Sequence, residues 1–340
     1  AFGWWQQRRY QRKFGAAFKS TQTDALYQKS YDKSSASAQP FELAEAVDSD
    51  HFLPDVETAT TPMLEESCAT LNECSDFIVE LHLREPCPAS VLEGLWQRKF
   101  EFGKPVQVCG LTLTTQRWER VIAESQSLYS HFRVALQLVD RSGLIKPAKL
   151  ADFRDLVMGI AQHIHAEASV PDVQETMHAA LQLDAFCVVV DQMVGVNLMP
   201  AGNRSLSGVK ISKAAAAQGL TLESDGAFHL LNAQGHSQFS LINRDTKAFQ
   251  PHTLERFTTA GLTLLLDVPR VENPAEQFDR MLFVAHELAK ELQVNLVDDR
   301  RVELTESGLM LIRTKVSEVE AKMLEQGIVP GGTQARRLFS

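Results

Sequence analysis

Three places in this 340-residue chain bring together side chains that could do chemistry. His163 and His165 could offer two imidazoles to a metal. They fall in a helical pattern, where residues i and i+2 point about 200° apart, so one ion cannot take both. His286-Glu287 opens like a zinc-protease helix, but the second histidine that would complete a HExxH pair is absent. Asp298-Asp299 could be a pair of acid/base carboxylates. Arg300 and Arg301 follow at once, so a strand-end turn with local ion pairing is the expected reading. No GxGxxG, P-loop or GxSxG occurs. The five cysteines, Cys68, Cys74, Cys87, Cys109 and Cys187, are odd in number and contain no CxxC. Cys109 and Cys187 lie in apolar, strand-like runs and read as small buried hydrophobes. The expectation is a reducing compartment, no disulfide framework, no metal, no cofactor and no enzymatic activity.

Binding is what remains. The chain is 44% hydrophobic and 23% charged, enough for two domains with their own cores. Its net charge of -9 and pI near 5.6 argue against a general nucleic-acid binder. No run of about 18 apolar residues is present to span a bilayer.

The elements that must position a binding surface begin after a long approach. Residues 1–19 read as a juxtamembrane basic segment. Trp4 and Trp5 precede Arg8, Arg9, Arg12 and Lys13, the order expected where a transmembrane helix leaves the cytoplasmic face. A basic tail with two chance tryptophans is the alternative. Residues 20–75 are polar and then acidic, too poor in branched apolar residues to offset their chain entropy, and are expected to form a disordered linker.

Two segments with regular periodicity follow, 76–183 and 184–326, and then a tail, 327–340, expected to fray. In the first, DFIVELHL and HFRVALQLVD alternate as strands, VQVCGLTL and RWERVIA are further strand candidates, and KLADFRDLVMGIAQHIHAEA carries a helical stripe. PDVQETMHAALQL predicts another helix, opened by Pro171 and Asp172. In the second, FCVVV (186–190) predicts a short strand and GVNLMPAGNRSLSG a loop. GVKISKAAAAQG predicts a helix, FSLIN and LTLLLDVP are strands, and QFDRMLFVAHELAKEL is an amphipathic helix. TESGLMLIRTKVSEVEAKMLEQG closes the segment as a helix with Thr305 at its start.

In order and spacing, QGLTLESDGAFH, QFSLIN, AFQP, FTTAGLTLLLDVP, QFDRMLFVAHELAKEL and VNLVDDRRVELT resemble the C-terminal FtsZ-binding domain of the ZipA family of bacterial cell-division proteins, over about 186–325. FEFGKPVQV and FRDLVMGIAQHIHAEA in the first segment resemble pieces of the same domain, as a degenerate second copy. The resemblance implies an α+β fold of two tandem split β-α-β domains after the linker, each an antiparallel sheet with helices on one face. It implies a shallow apolar groove on the other face, in which the FtsZ C-terminal tail lies as a short helix.

Alternation along the strands, if Phe186, Val188, Val190, Leu262, Leu264 and Leu266 face the core, turns Cys187, Val189, Thr263 and Leu265 outward. Matching to the family adds Asp225, Ala227, Ile242 and Arg244. Asp225 and Arg244 stand where the family has large apolar residues, which would make the groove smaller and more charged. The implied function is an adaptor that tethers FtsZ to the inner membrane at the septum, through a transmembrane helix upstream of this chain. Two alternatives stay open. One is a nucleic-acid module of the RNA-recognition type, for which the outward positions lack aromatics and, with Asp225 against Arg244, are not basic as a set. The other is a division scaffold that does not bind FtsZ.

Overall fold

The computed structural model describes Cys68 and residues 71–340 apart from Thr246. The basic segment and nearly all of the linker lie outside the described residues. The first unit runs β1 (Asp76–Pro88), α1 (Glu93–Arg98), β2 (Val106–Thr112), β3 (Trp118–Arg120) and β4 (Leu128–Gln137). A small hairpin, β5 (Val139–Asp140) and β6 (Gly143–Leu144), leads to α2 (Pro147–His163) and β7 (Glu167–Ser169). Helix α3 (Val173–Val190) then carries the chain to the second unit.

That unit runs β8 (Met193–Pro200), β9 (Leu206–Ser207), α4 (Gly208–Ala217), β10 (Thr221–Leu222), β11 (Phe228–Leu231) and β12 (Ser237–Asn243). It continues with β13 (Thr258–Thr259), β14 (Leu262–Asp267), α5 (Pro274–Leu292), β15 (Val294–Val297) and α6 (Glu306–Glu325). A last helix, α7 (Thr333–Leu338), ends the chain.

The sheets are ordered β3-β2-β4-β1-β7 and β10-β11-β12-β14-β8-β15, with every neighbouring pair antiparallel. They share one plan. The first strand (β1 or β8) is central, a helix follows, and a meander returns a strand (β4 or β14) beside it. A long helix (α2 or α5) then delivers a short strand (β7 or β15) to its other side. The α+β reading holds, and the shared plan favours a repeated fold.

Period-two alternation sets which face is buried. Phe77, Val79 and Leu81 of β1, and Phe132, Val134 and Leu136 of β4, are completely buried. Phe153 of α2 packs edge-on against Phe77 and Phe102, with ring centroids 6.3 and 5.3 Å away. In the second unit Leu262, Leu264 and Leu266 of β14 share the core with Phe278, Met281, Ala285, Leu288 and Leu292 of α5. Each buried leucine of this kind contributes about 1.5–3 kcal/mol. Thr305 caps α6 by accepting the Gly308 N–H, and Asp172 caps α3 by accepting from Gln174 and Glu175.

Several expectations are corrected. The run 186–190 is not a strand but the last turns of α3. Ala180, Cys187 and Val190 line its buried side, and helical packing overrides the β preference of a valine run. The strand in that place is β8, expected as a loop because Gly195, Asn197 and Pro200 interrupt it. The 183/184 boundary therefore falls inside a helix. Strand β1 runs on through Cys87-Pro88, with an irregularity in its pairing to β4 between His82 and Cys87. The linker ends before residue 75, since Leu71 packs on Cys109, Leu111 and Trp118.

Cys109 is no free thiol: it is bonded to Cys68. Residues 327–340 do not fray. Ala335, Leu338 and Phe339 are buried, and the Arg337 guanidinium holds the buried Asp76 carboxylate of β1.

These tail contacts join the units. Gln137 of β4 donates to the Arg337 carbonyl at 3.0 Å. Arg141, in the β5–β6 turn, donates to Asp267 at 2.8 Å and to Asp191 at 2.8 and 3.0 Å. Burial works against its charge, but the two carboxylates overcome that and raise its pKa above the ordinary arginine value. One continuous cluster of buried residues runs from Phe77 to Phe339.

Candidate functional site

The candidate site is the face of the second sheet turned away from α5. Two cross-strand rows build it. Thr221, His229, Ser240, Leu265 and Gly195 lie side by side on β10, β11, β12, β14 and β8. Ile242, Thr263, Asn197 and Val297 form the next row, on β12, β14, β8 and β15. Leu265 sits between Ser240 and Gly195. Glycine adds no side chain there, so the surface is lowest beside Leu265. It is a strip of mixed character, with Leu265, Ile242 and Val297 as its apolar members, of which Ile242 is partly exposed and Leu265 and Val297 are buried.

The polar members are tied down. Thr263 donates to Asn197 Oδ1 at 2.7 Å, and Asn197 Nδ2 donates to Asp299 at 3.1 Å. Asp299 thus reaches the sheet face, while Asp298 accepts the backbone N–H groups of Arg300 and Val302. Backbone and sheet contacts hold these carboxylates. At the other end His229 Nε2 lies 3.0 Å from Asp225, and its Nδ1 lies 2.7 Å from Ser237 Oγ.

The structure divides the residues chosen from the sequence. Ile242, Thr263 and Leu265 are brought together on this face. Leu265 is only 8% exposed. Arg244 follows at the end of β12, its N–H donating to the Gly261 carbonyl at 3.1 Å. Asp225 is an exposed turn residue at the rim, its carboxylate accepting the Ala227 N–H at 3.1 Å. Ala227 is buried just ahead of β11.

Cys187 and Val189 do not belong to the strip. They lie on α3, which packs against the β5–β6 hairpin and α6. Val189 is exposed there. Cys187 is buried, its thiol pushed up to about 12 by burial and by the charges of Asp184 and Asp191. Sequence reasoning missed Gly195, Asn197, His229 and Ser240. The signal for the first two was the alternation of Val194, Val196 and Leu198, hidden by the glycine and the asparagine between them.

An open cleft of about 630 Å³ lies elsewhere, between α1 and α2, lined by Cys87, Val91, Leu156, Ile160 and His163 among others. Among the described residues, no group of three or more His, Cys, Asp or Glu side chains could hold a metal. No helix among them is long and apolar enough to cross a membrane.

An antiparallel sheet backed by helices, with apolar and hydrogen-bonding side chains on its other face, defines the second unit as a domain of split β-α-β type. Residues 192–315 match the family described as ZipA, C-terminal FtsZ-binding domain, and the second unit carries a domain of that family. The chain is similar to the cell division protein ZipA of Ectopseudomonas mendocina, 26% identical over 165 residues, which are 46% of this chain and 59% of that protein. It is similar to ZipA of Colwellia psychrerythraea, 25% identical over 135 residues, 38% of this chain and 36% of the relative. Against ZipA of Pseudomonas entomophila it is 32% identical over 95 residues, 27% and 32% of the two chains. The chain spans less than two thirds of the length of these relatives.

Proposed function

We propose that this chain is a cell-division adaptor whose second unit binds the FtsZ C-terminal tail on the open sheet face, holding FtsZ at the inner membrane of the septum. The observation that carries this reading is the strip itself. Within the segment that matches the ZipA domain, Ile242, Thr263 and Leu265 meet on the face turned away from α5, where Ile242 is partly exposed. A short amphipathic helix laid across it would bury its apolar side on Leu265, Ile242 and Val297 and leave Asp225, His229 and Arg244 at the rim. Phe, Tyr and Trp are absent from both rows, which leaves His229 as the one ring there on which a nucleic-acid base could stack. The tryptophan-then-basic order of Trp4, Trp5, Arg8 and Arg9 supports attachment at the cytoplasmic face of the inner membrane. The binding role assigned here is one of recognition rather than catalysis.

The test is fluorescence anisotropy of a labelled FtsZ tail peptide titrated with the whole chain, with an RNA oligonucleotide as the second ligand. Saturable peptide binding, with RNA inert, is expected. No peptide binding would sink the FtsZ reading and favour a scaffold. Salt-sensitive RNA binding would favour the nucleic-acid reading instead.

A further inference from the structure

We propose that His82 and His131, opposite each other on β1 and β4, bind one late first-row divalent cation of the zinc and copper class, which staples the two strands. The sheet makes them neighbours. His82 pairs directly with His131, and theirs is the last pair in register before the β1–β4 ladder turns irregular. Alternation turns both away from the core, since Leu81 and Phe132 beside them are completely buried. The two rings meet edge to face with centres 4.7 Å apart.

That spacing suits a shared ion. A ligating imidazole nitrogen sits about 2.0–2.1 Å from zinc, which puts its ring centre about 3.2 Å away. Two such rings on one ion have centres about 4.5–5.2 Å apart, as the angle between them opens from square to tetrahedral. The observed distance lies inside that range, so neither strand has to move.

The hydrogen bonds decide which nitrogen is available. Ser130 Oγ donates to the Leu111 carbonyl at 3.4 Å and lies 3.0 Å from His131 Nδ1. With its own proton committed to that carbonyl, Ser130 accepts from Nδ1–H, and His131 Nε2 carries the bare lone pair that a cation needs. Burial, and then the charge of His82, lower the His131 pKa, which keeps the ring neutral and able to ligate near pH 7. His82 Nε2 lies 4.0 Å from Glu80 Oε2, beyond hydrogen-bond reach. Its side chain is 48% exposed, so its ring can turn toward the ion.

The surrounding charge favours a cation. Glu80 gives one carboxylate oxygen to Arg133 at 2.8 Å and turns the other toward His82. Glu167 of β7 pairs with His82 from the far side. Two imidazoles are fewer than the three or four protein ligands of a catalytic or structural zinc centre, so water completes the coordination and binding is reversible. An ion held here joins β1 to β4 where their ladder loosens. It binds the folded chain alone, and therefore stabilises it.

The experiment uses the whole chain, freed of metal with a chelator. It is titrated with Zn²⁺ by calorimetry and with Cu²⁺ by electron paramagnetic resonance. One equivalent of Zn²⁺ should bind more tightly than any that follow. At about ten times its dissociation constant, Zn²⁺ should raise the melting temperature by about 3–6 °C. The first Cu²⁺ should show coupling to two imidazole nitrogens. His82→Gln and His131→Gln should each weaken the first equivalent by about tenfold or more, abolish the thermal shift and leave coupling to one nitrogen at most. His178→Gln, on α3, should change none of these. Circular dichroism checks that each variant is folded; should His131→Gln unfold the chain, His82→Gln at its exposed position decides alone. Absence of a tight first equivalent, or its survival in His82→Gln, overturns the proposal. So does its loss in Cys74→Ser with both histidines in place, which assigns the ion to a thiol.

Discussion

The outer faces of the two sheets share a plan and differ in what lies on them. On the first, the row of Leu111 and Cys109 is covered by the chain's own Cys68 and Leu71. On the second, Thr263 and Leu265 are 9% and 8% exposed and Ile242 is partly exposed, with no cystine among the described residues tying another segment onto them. A split β-α-β sheet backed by helices on one side has its other face left to satisfy. It can be covered from within the same chain or kept for a partner. The first unit also departs at its edge. Among the described residues it lacks a counterpart of β10, and its sheet ends at the three-residue β3.

The comparison is broken most severely by reversing faces. Leu264→Glu places an unpaired carboxylate in the core and should unfold the second unit, with loss of the thermal transition by circular dichroism. Leu265→Glu, one residue away on the outer face, should leave the unit folded but less stable by about 1–3 kcal/mol, because that leucine is mostly covered. If both variants melt alike, the face assignment of β14 is wrong.

Next in size is the join between the units. Arg141→Ala strands the partly buried carboxylates of Asp191 and Asp267. Removing one partner of a buried ion pair costs about 3–5 kcal/mol. Urea unfolding should show that loss, and splitting of one transition into two would mean that the arginine couples the units. A loss below about 1 kcal/mol would show that the shared core alone joins them.

A smaller effect belongs to the open strip. Ile242 is half-buried on that face, and Ile242→Glu should weaken tail-peptide binding by about tenfold, or about 1.4 kcal/mol, with the melting temperature nearly unchanged. Undiminished binding would move the docking site off these two rows.

The smallest effect sharpens the first face. His131 stacks edge-on against His82, with ring centroids 4.7 Å apart. Burial, and then the charge of His82, hold its pKa below the ordinary 6.5, with Glu80 pulling the other way. A histidine with a lowered folded pKa binds fewer protons folded than unfolded. Its contribution is present above about pH 6.5 and falls as the pH drops through 6.5 toward the folded value. Urea midpoints from pH 8 to pH 5 should therefore decline, and His131→Phe should flatten part of that slope. An unchanged slope would remove His131 as its source.

Periodicity in the sequence determined the elements with long, uninterrupted patterns. The stripe of α5, the alternation of β1, β4, β12 and β14, and the caps at Asp172 and Thr305 are all legible there, because each depends on residues near one another in the chain. Alternation drew Thr263 and Leu265 from the same short patterns, and the family resemblance added Asp225, Ala227, Ile242 and Arg244. Only the tertiary structure decided the rest. FCVVV is a good strand by local preference, yet it completes α3, because Cys187 and Val190 find a packed face there. MVGVNLMP is a poor strand by the same measure, yet it is central, because β14 and β15 supply hydrogen-bonding partners on both sides. The disulfide joins residues 41 positions apart, and Arg337 meets Asp76 across almost the whole described chain. Such contacts leave no local pattern. They exist because two faces far apart in sequence lose less by meeting each other than by meeting water.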